Sequence, residues 1–436
     1  MEKKQRAEIL KPIGKEDGSF SLNLRDSFST ILKYHFPRTP VHSQTTILQT
    51  PEEDLTETTP GELEAAVLNI KPKKASGPEG IPGEVVKEIY YANPEWSRTL
   101  LNHLLKDGVF PAAWKKARIA LIPKDGRDHN HPSDFRPICI LPCWGKILDK
   151  ILAERLAFFL ETRNLLNAKQ FGFRKRKSTI NALQAIKDFA QTAINNNQVS
   201  CIISINIQNA FNSANWQILK TKIFNLNIPV YLKKVLFSFL EDRKVTLGEV
   251  EQQYNKGIPQ GSSLGPILWN IFINDILELD LGQDSHIQAF ADDILIMFKA
   301  PATFHFSSTC TDPLNKIHTW IQDNNLFINN SKSHFTIVSK KNYSHIPTIK
   351  IGNHKIKLGL LSRHRSSVTC AFGLGEYSVF CITLLMGERS GSTSSWCPLG
   401  RLPCEVPPVT GTVYVLQFDR FSSSWVYPAP LLLISS

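Results

Sequence analysis

The stretch His286-Ile287-Gln288-Ala289-Phe290-Ala291-Asp292-Asp293-Ile294-Leu295-Ile296-Met297-Phe298 decides how the rest of the chain reads. Two short, mostly apolar runs, His286–Phe290 and Ile294–Phe298, flank a tripeptide that is two-thirds acidic. Such runs bounded by a turn predict two strands of a buried hairpin. Adjacent carboxylates at its tip repel one another unless a cation lies between them. A lone pair of aspartates reads first as an ordinary polar turn. Set between apolar strands, Asp292 and Asp293 point instead to a divalent metal.

Upstream, Cys201–Ile205 is a five-residue, β-rich run that predicts a buried strand. It closes on Asn206-Ile207-Gln208-Asn209-Ala210-Phe211-Asn212. Lys256-Gly257-Ile258-Pro259-Gln260-Gly261 reads as a turn that enters a helix. Ser262, Ser263 and Pro266 mark its start, and Ile267, Leu268, Ile271, Phe272 and Ile276 share its apolar side. Nearer the N-terminus, the stretch up to Glu62 offers mainly turn and cap signals, Thr58-Thr59-Pro60-Gly61 among them. A helix over Gly61–Ile70 follows, then the basic, Gly/Pro-punctuated loop Lys71–Pro78. A strand is expected over Ala117–Pro123, a polar loop over Lys124–Ser133, and a helix over Gly145–Leu156. Phe173–Ser178 is the densest basic run, suited either to nuclear import or to a nucleic-acid backbone.

Composition narrows the classes. The chain has 436 residues, enough for two or three domains, and 42% hydrophobic with 20% charged residues excludes disorder throughout. Lys+Arg 50 against Asp+Glu 39 leaves +11, which suits a polyanionic partner, either nucleic acid or an acidic membrane face. No run approaches the roughly 18 apolar residues of a membrane span, and Ser378–Met386 is too short. Met1–Arg6 leads into no apolar signal core, so an intracellular, unsecreted protein is expected, nuclear or cytoplasmic. The 8 Cys show no Cys-x-x-Cys spacing and read as reduced core thiols. After Lys357 there is no further Lys, and Ser390–Ser395 and Pro428–Leu433 turn Ser-, Gly-, Pro- and Leu-rich. Such a shift predicts a tail not native to the fold; a variable surface domain is the other reading.

Taken in order, several segments resemble the motifs of a reverse transcriptase. They are Lys124 with Phe135-Arg136-Pro137, Gln170-Phe171-Gly172-Phe173-Arg174, and the strand ending at Asn206 with Ala210-Phe211. Gly257-Ile258-Pro259-Gln260-Gly261 with Leu264-Gly265-Pro266, Phe290-Ala291-Asp292-Asp293, and Asn329 with Lys332 complete the series. The pattern is similar to that of non-LTR (LINE-like) retrotransposons and spans about residues 65–350. Asp17–Ser21 weakly resembles the linker between endonuclease and polymerase in such proteins, so the chain reads as a partial copy of a polyprotein.

The resemblance implies an α+β, right-hand polymerase. It divides the chain into a linker region (1–64), fingers (65–199) and a palm (200–356) whose antiparallel sheet packs on helices. The reverse transcriptase domain would cover about 105–356, with 357–436 as the divergent tail in place of a thumb. Implied partners are an RNA template, a DNA primer and dNTPs, with no membrane. Two Mg²⁺ ions would be held, with Mn²⁺ able to substitute, by Asp292 with Asp293 beside it and by the residue closing the first palm strand. Lys124 and Arg136 match positions that grip the incoming triphosphate, and Phe211 matches the bulky residue that excludes a ribose 2′-hydroxyl. Gln260 would line the nucleotide pocket, and Lys332 would protonate the leaving pyrophosphate, followed by Ser333 where Thr is usual. Arg174, Lys175, Arg176 and Lys177 would meet the nucleic-acid backbone.

One departure carries more weight than Glu79, which stands for the usual Asp in the Ser-Gly-Pro loop. The family places Asp at the position of Asn206, and commonly another at Asn212. A neutral amide offers Mg²⁺ one useful oxygen and no charge. An impaired polymerase is therefore expected. The alternatives are a catalytically dead copy that still binds nucleic acid, and a basic, non-enzymatic scaffold.

Overall fold

The computed structural model describes residues 11–38, 55–339 and 345–359 with their side chains. Beyond them it describes the strand backbones Leu361–His364, Ser367–Gly373, Val379–Leu385, Tyr414–Leu416 and Leu432–Ile434. Most of the divergent tail, Ser390–Ser395 included, lies outside the described residues.

Up to Ser339 the described chain carries eight strands. They are β1 (Lys116–Pro123), β2 (Phe135–Ile140), β3 (Val199–Asn206), β4 (Arg243–Leu247), β5 (Val250–Tyr254), β6 (Ser285–Phe290), β7 (Asp293–Ala300) and β8 (His334–Val338). Helices intervene, and the two kinds of element mix into an α+β chain of two compact units. Each unit is assembled from non-consecutive segments.

The first unit draws on the chain up to Phe173, on Gln208–Glu278 and on Ile321–Phe327. Its sheet runs β2-β1-β4-β5, with β1 antiparallel to β2 and parallel to β4. The helix expected over Gly61–Ile70 forms at Pro60–Leu68, where the Thr59 side chain accepts from the Glu62 N–H and proline takes a first-turn position. The helix expected over Gly145–Leu156 is longer, Cys143–Thr162, and its buried side holds two ionisable residues among aliphatic ones. One of these, Arg155, forms a two-pronged pair with Glu62 at 2.6 and 2.7 Å and also donates to the carbonyls of Thr56 and Glu57. The region read as linker contains a helix, Leu24–His35, with Asn23 as its cap and Ile31 and Leu32 fully buried.

The helix after the Pro-Gln-Gly turn is shorter than its apolar pattern suggests. It ends at Phe272, and Ile276 is buried from a separate 3-10 turn, Asn274–Glu278. The Phe272 carbonyl accepts from the Lys222 ammonium, and the Asn274 side chain accepts from the Asn167 N–H. The first of these bonds takes a backbone carbonyl that a longer helix would have used.

The second unit contains Arg174–Ile207, Leu279–Trp320 and the described chain from Ile328. Its sheet runs from the short strand Lys357–Leu358 through β8, β3 and β7 to β6. All these pairs are antiparallel except the outermost, between Lys357–Leu358 and β8. At the sheet's centre, seven of the eight β3 residues are buried, which is why the strand reads as a mostly apolar run, with two small serines, rather than an alternation with charged residues. The helix Thr179–Asn195 lies on this sheet, and the Gln288 side chain of β6 donates to its Ala182 carbonyl at 3.0 Å.

Candidate active site

β6 and β7 pair with Phe290 opposite Asp293, so Ala291 and Asp292 form the two-residue loop between them. Ala291 has φ +57°, a left-handed conformation that costs an L-residue about 1 kcal/mol and persists where surrounding structure enforces it. Asp292 is half-buried on the loop, and Asp293 is buried at 4% exposure. β7 also pairs with β3, and the register places Asn206 directly opposite Asp293. Side chains so paired share one face of a sheet, with Cβ atoms about 5 Å apart.

Oxygen donors are what a hard divalent cation takes, and Asp292 and Asp293 fit that requirement. Asn206 adds an amide where a carboxylate would add charge. Among the described residues, no group of three or more His, Cys, Asp and Glu is placed to hold a metal. The donor set at this hairpin is therefore two carboxylates and an amide.

The end of β3 is closed by the turn Asn329–Ser333. The Asn206 N–H donates to Ser333 Oγ at 3.1 Å, and its carbonyl accepts from the Asn329 N–H at 2.8 Å. Ser333, buried at 3%, in turn donates to the Asn329 carbonyl at 2.9 Å. A hydroxyl at 333 meets both needs, so serine serves here where threonine was expected. This turn carries the exposed Lys332 to the same strand end as Asn206. Asn206, Asp292, Asp293 and Lys332 thus come together within the second unit.

Lys124, Arg136, Phe211 and Gln260, the residues expected to meet the nucleotide, belong to the first unit. The Gln260 carbonyl accepts from the Cys139 N–H of β2 at 2.7 Å, three residues along that strand from Arg136. Gly261 has φ +110°, and a Cβ there would lie 2.8 Å from the Cys139 carbonyl oxygen, so only glycine lets the turn seat this closely. Gly257 is equally constrained, with φ +92° and a Cβ position 2.9 Å from the Asn212 carbonyl oxygen. The Ile258 N–H donates to the Phe211 carbonyl, and Gln260 Nε2 donates to Asn212 Oδ1 at 3.2 Å. The turn is thereby fastened to the Phe211–Asn212 segment and to β2. The Phe211 ring stacks on Trp269, centroids 5.4 Å apart, and meets Phe173 edge-on at 6.0 Å. Lys124 follows β1, its N–H bonded to the Asp134 carbonyl, and Arg136 stands opposite Ile122. The two lie diagonally across one ribbon, a spacing of about 7–8 Å.

Arg174–Lys177 lie in the second unit, in the loop that enters the Thr179–Asn195 helix. Lys175 and Arg176 are exposed, whereas Arg174 and Lys177 are half-buried.

Sequence reading missed three supporting residues. Asp149, buried at 1%, accepts from Ser262 Oγ at 2.6 Å and from the Ser263 and Leu264 N–H groups, holding the exit of the Pro-Gln-Gly turn. Burial pushes its carboxyl above the usual range, while these bonds and the nearby Arg243 guanidinium oppose the rise. An aspartate amid Ile147, Leu148, Ile151 and Leu152 was the available signal. Trp269, fully buried, backs the Phe211 ring. His35 bonds to Asn212 and carried no local signal.

An α+β chain whose antiparallel sheet carries Asp292 and Asp293 at a hairpin matches what the motif order leads one to expect of a polymerase palm. Residues 122–362 match the family model described as reverse transcriptase (RNA-dependent DNA polymerase). The chain belongs to that family, whose members generally use divalent metal ions. It is 28% identical over 282 residues to the RNA-directed DNA polymerase from mobile element jockey of Drosophila melanogaster, covering 62% of this chain and 31% of that protein. It is 30% identical to the Pol polyprotein from type-1 retrotransposable element R1 of Bradysia coprophila, over 59% of this chain and 26% of the relative. The chain thus spans less than a third of the length of either relative. Among solved structures, telomerase from Candida albicans aligns with a TM-score of 0.40 at 14% identity, over 63% of this chain and 48% of that one. No helix among the described residues is long and apolar enough to cross a membrane.

Proposed function

We propose that this chain is the reverse transcriptase segment of a non-LTR retrotransposon polyprotein, and that Asn206 impairs its activity. The reaction is RNA-templated DNA synthesis. The primer 3′-oxygen attacks the α-phosphorus of a dNTP, a new P–O bond forms, the α–β phosphoanhydride breaks, and pyrophosphate leaves. Mg²⁺, or Mn²⁺ in its place, would activate the 3′-hydroxyl and neutralise charge on the phosphates. Asp292 and Asp293 would hold it, Lys124 and Arg136 would grip the triphosphate, and Phe211 would exclude a ribose 2′-hydroxyl. Gln260 would line the pocket, Lys332 would give a proton to pyrophosphate, and Arg174–Lys177 would bind the template backbone. In this reading, residues 65–199 act as fingers and 200–356 as palm.

The observation that carries the proposal is the pairing of Asn206 with Asp293, beside the Ala291-Asp292 loop. It sets an amide at the place where the chemistry calls for a further charged ligand. The missing charge costs about 4 kcal/mol of transition-state stabilisation, or roughly a thousandfold in rate. The test is primer extension on a primed RNA template. The chain as it stands should extend poorly, Asn206→Asp should gain Mg²⁺-dependent incorporation, and adding Asp292→Asn should abolish it. Robust extension by the unmodified chain would overturn the claim of impairment. Template binding without extension in every variant would favour a nucleic-acid-binding protein that has lost catalysis.

A further inference from the structure

Four groups of the first unit form a directional chain. His35 Nε2 lies 2.8 Å from the Pro132 carbonyl oxygen, and His35 Nδ1 lies 2.8 Å from Asn212 Nδ2. Asn212 Oδ1 accepts from Gln260 Nε2 at 3.2 Å. A carbonyl can only accept, so Nε2 carries the imidazole proton. In the neutral ring Nδ1 is then a bare acceptor, and it must face the amide N–H₂ of Asn212. That choice turns Asn212 Oδ1 toward Gln260, which must answer with its own N–H₂. Gln260 Oε1 is left as the end of the chain.

We propose that His35, on the helix Leu24–His35, is a positioning residue for the nucleotide pocket: through Asn212 it fixes the side-chain amide of Gln260 with Oε1 presented as a hydrogen-bond acceptor. The inference rests on the polymerase reading of Gln260. It also gives Asn212 a reason of its own. A carboxylate at 212 would set its lone pairs against that of Nδ1, so the amide here is matched to a neutral histidine. The surroundings keep the ring neutral: His35 is 3% exposed, and burial pushes its imidazole down to about 4. Lys124 and His131 lie close enough to disfavour a second positive charge, and Tyr34 packs edge-on against the ring at 4.9 Å. Tyr34 reaches the same segment, its hydroxyl accepting from Asn209 Nδ2 at 2.9 Å. The helix thus touches the Phe211 segment at two points.

Two measurements on the full chain test this. Histidine ¹⁵N NMR should show His35 as the Nε2–H tautomer, neutral at pH 7. A proton on Nδ1, or an imidazolium there, would overturn the chain of bonds. The second measurement is dNTP affinity on a primed RNA template with a non-extendable primer. His35→Gln keeps a donor for Pro132 but loses the Nδ1 acceptor, and should weaken affinity about fivefold; His35→Asn keeps an acceptor at the Nδ1 position and should stay within about twofold. Equal losses in both variants would make His35 a packing residue and overturn the proposal. Should the unmodified chain bind no dNTP while the tautomer stands as stated, the polymerase reading itself has failed, and the positioning role falls with it.

Discussion

Asn206 and Asp293 stand directly opposite each other on the adjacent strands β3 and β7, at the end of the sheet that carries the Ala291-Asp292 loop. Asp293 is buried there, so whatever occupies position 206 sets the electrostatics of the pair.

Restoring the charge should first cost stability. Asn206→Asp places like charges across from one another, a loss of about 1 kcal/mol in chelator. Added Mg²⁺ or Mn²⁺ should reverse that loss in the variant, because a cation bound only by the folded state raises its stability. Thermal melts in EDTA and in millimolar metal read the effect. A variant whose melting ignores the metal would argue against a cation at this hairpin.

Template binding should be salt-dependent. Each neutralised phosphate of a single strand contributes about 0.7 to the slope of log affinity against log salt. Changing Arg174, Lys175, Arg176 and Lys177 together to Ala should flatten that slope in filter binding across a salt series. A slope that does not move would leave the run as an import signal or a solvated loop.

Arg155 is 9% exposed and depends on Glu62 for its charge balance. Glu62→Ala should destabilise the fold by about 3 kcal/mol, since a buried guanidinium loses its counter-charge. Pairing Glu62→Leu with Arg155→Met should cost less than Glu62→Ala alone. Denaturant melts of the three proteins provide the comparison.

His35 gives the fold a pH dependence of definite sign. The unfolded histidine gains a proton below about pH 6.5, whereas burial keeps the folded one neutral down to about 4. Between those values the unfolded state binds more protons, so acidification removes stability, on the order of 3 kcal/mol over the whole window. The difference in unfolding free energy between the unmodified chain and His35→Gln, followed from pH 7 to pH 4.5, should shrink with falling pH. A constant difference would mean that His35 takes up its proton in the folded state over the same pH range as in the unfolded one.

The hairpin, the β3 strand and the carboxylates at the loop could be read directly from the residues. A strand buried on both faces has no solvent side to accommodate charged residues, so Cys201–Ile205, Ser204 apart, and Ile294–Phe298 stay apolar. Turns between such runs hold the remaining polar groups, and chemistry at a turn leaves its residue types in view. Gly257 and Gly261 were visible as turn glycines, but the backbones they approach, at Asn212 and at Cys139 of β2, were not. Tertiary structure alone decided what stands behind the site. Asp149 meets Ser262 across 113 positions of sequence, and His35 meets Asn212 across 177. The apolar neighbours of Asp149 mark it as buried but name no partner, and His35 does not differ locally from a helical histidine facing water. The helix Gly265–Phe272 likewise stops where Lys222, some fifty positions upstream, takes its last carbonyl. Periodicity records which side of an element avoids water. A hydrogen bond between distant groups leaves no periodic trace, because it is satisfied by one partner at one angle, and only the folded chain selects which partner that is.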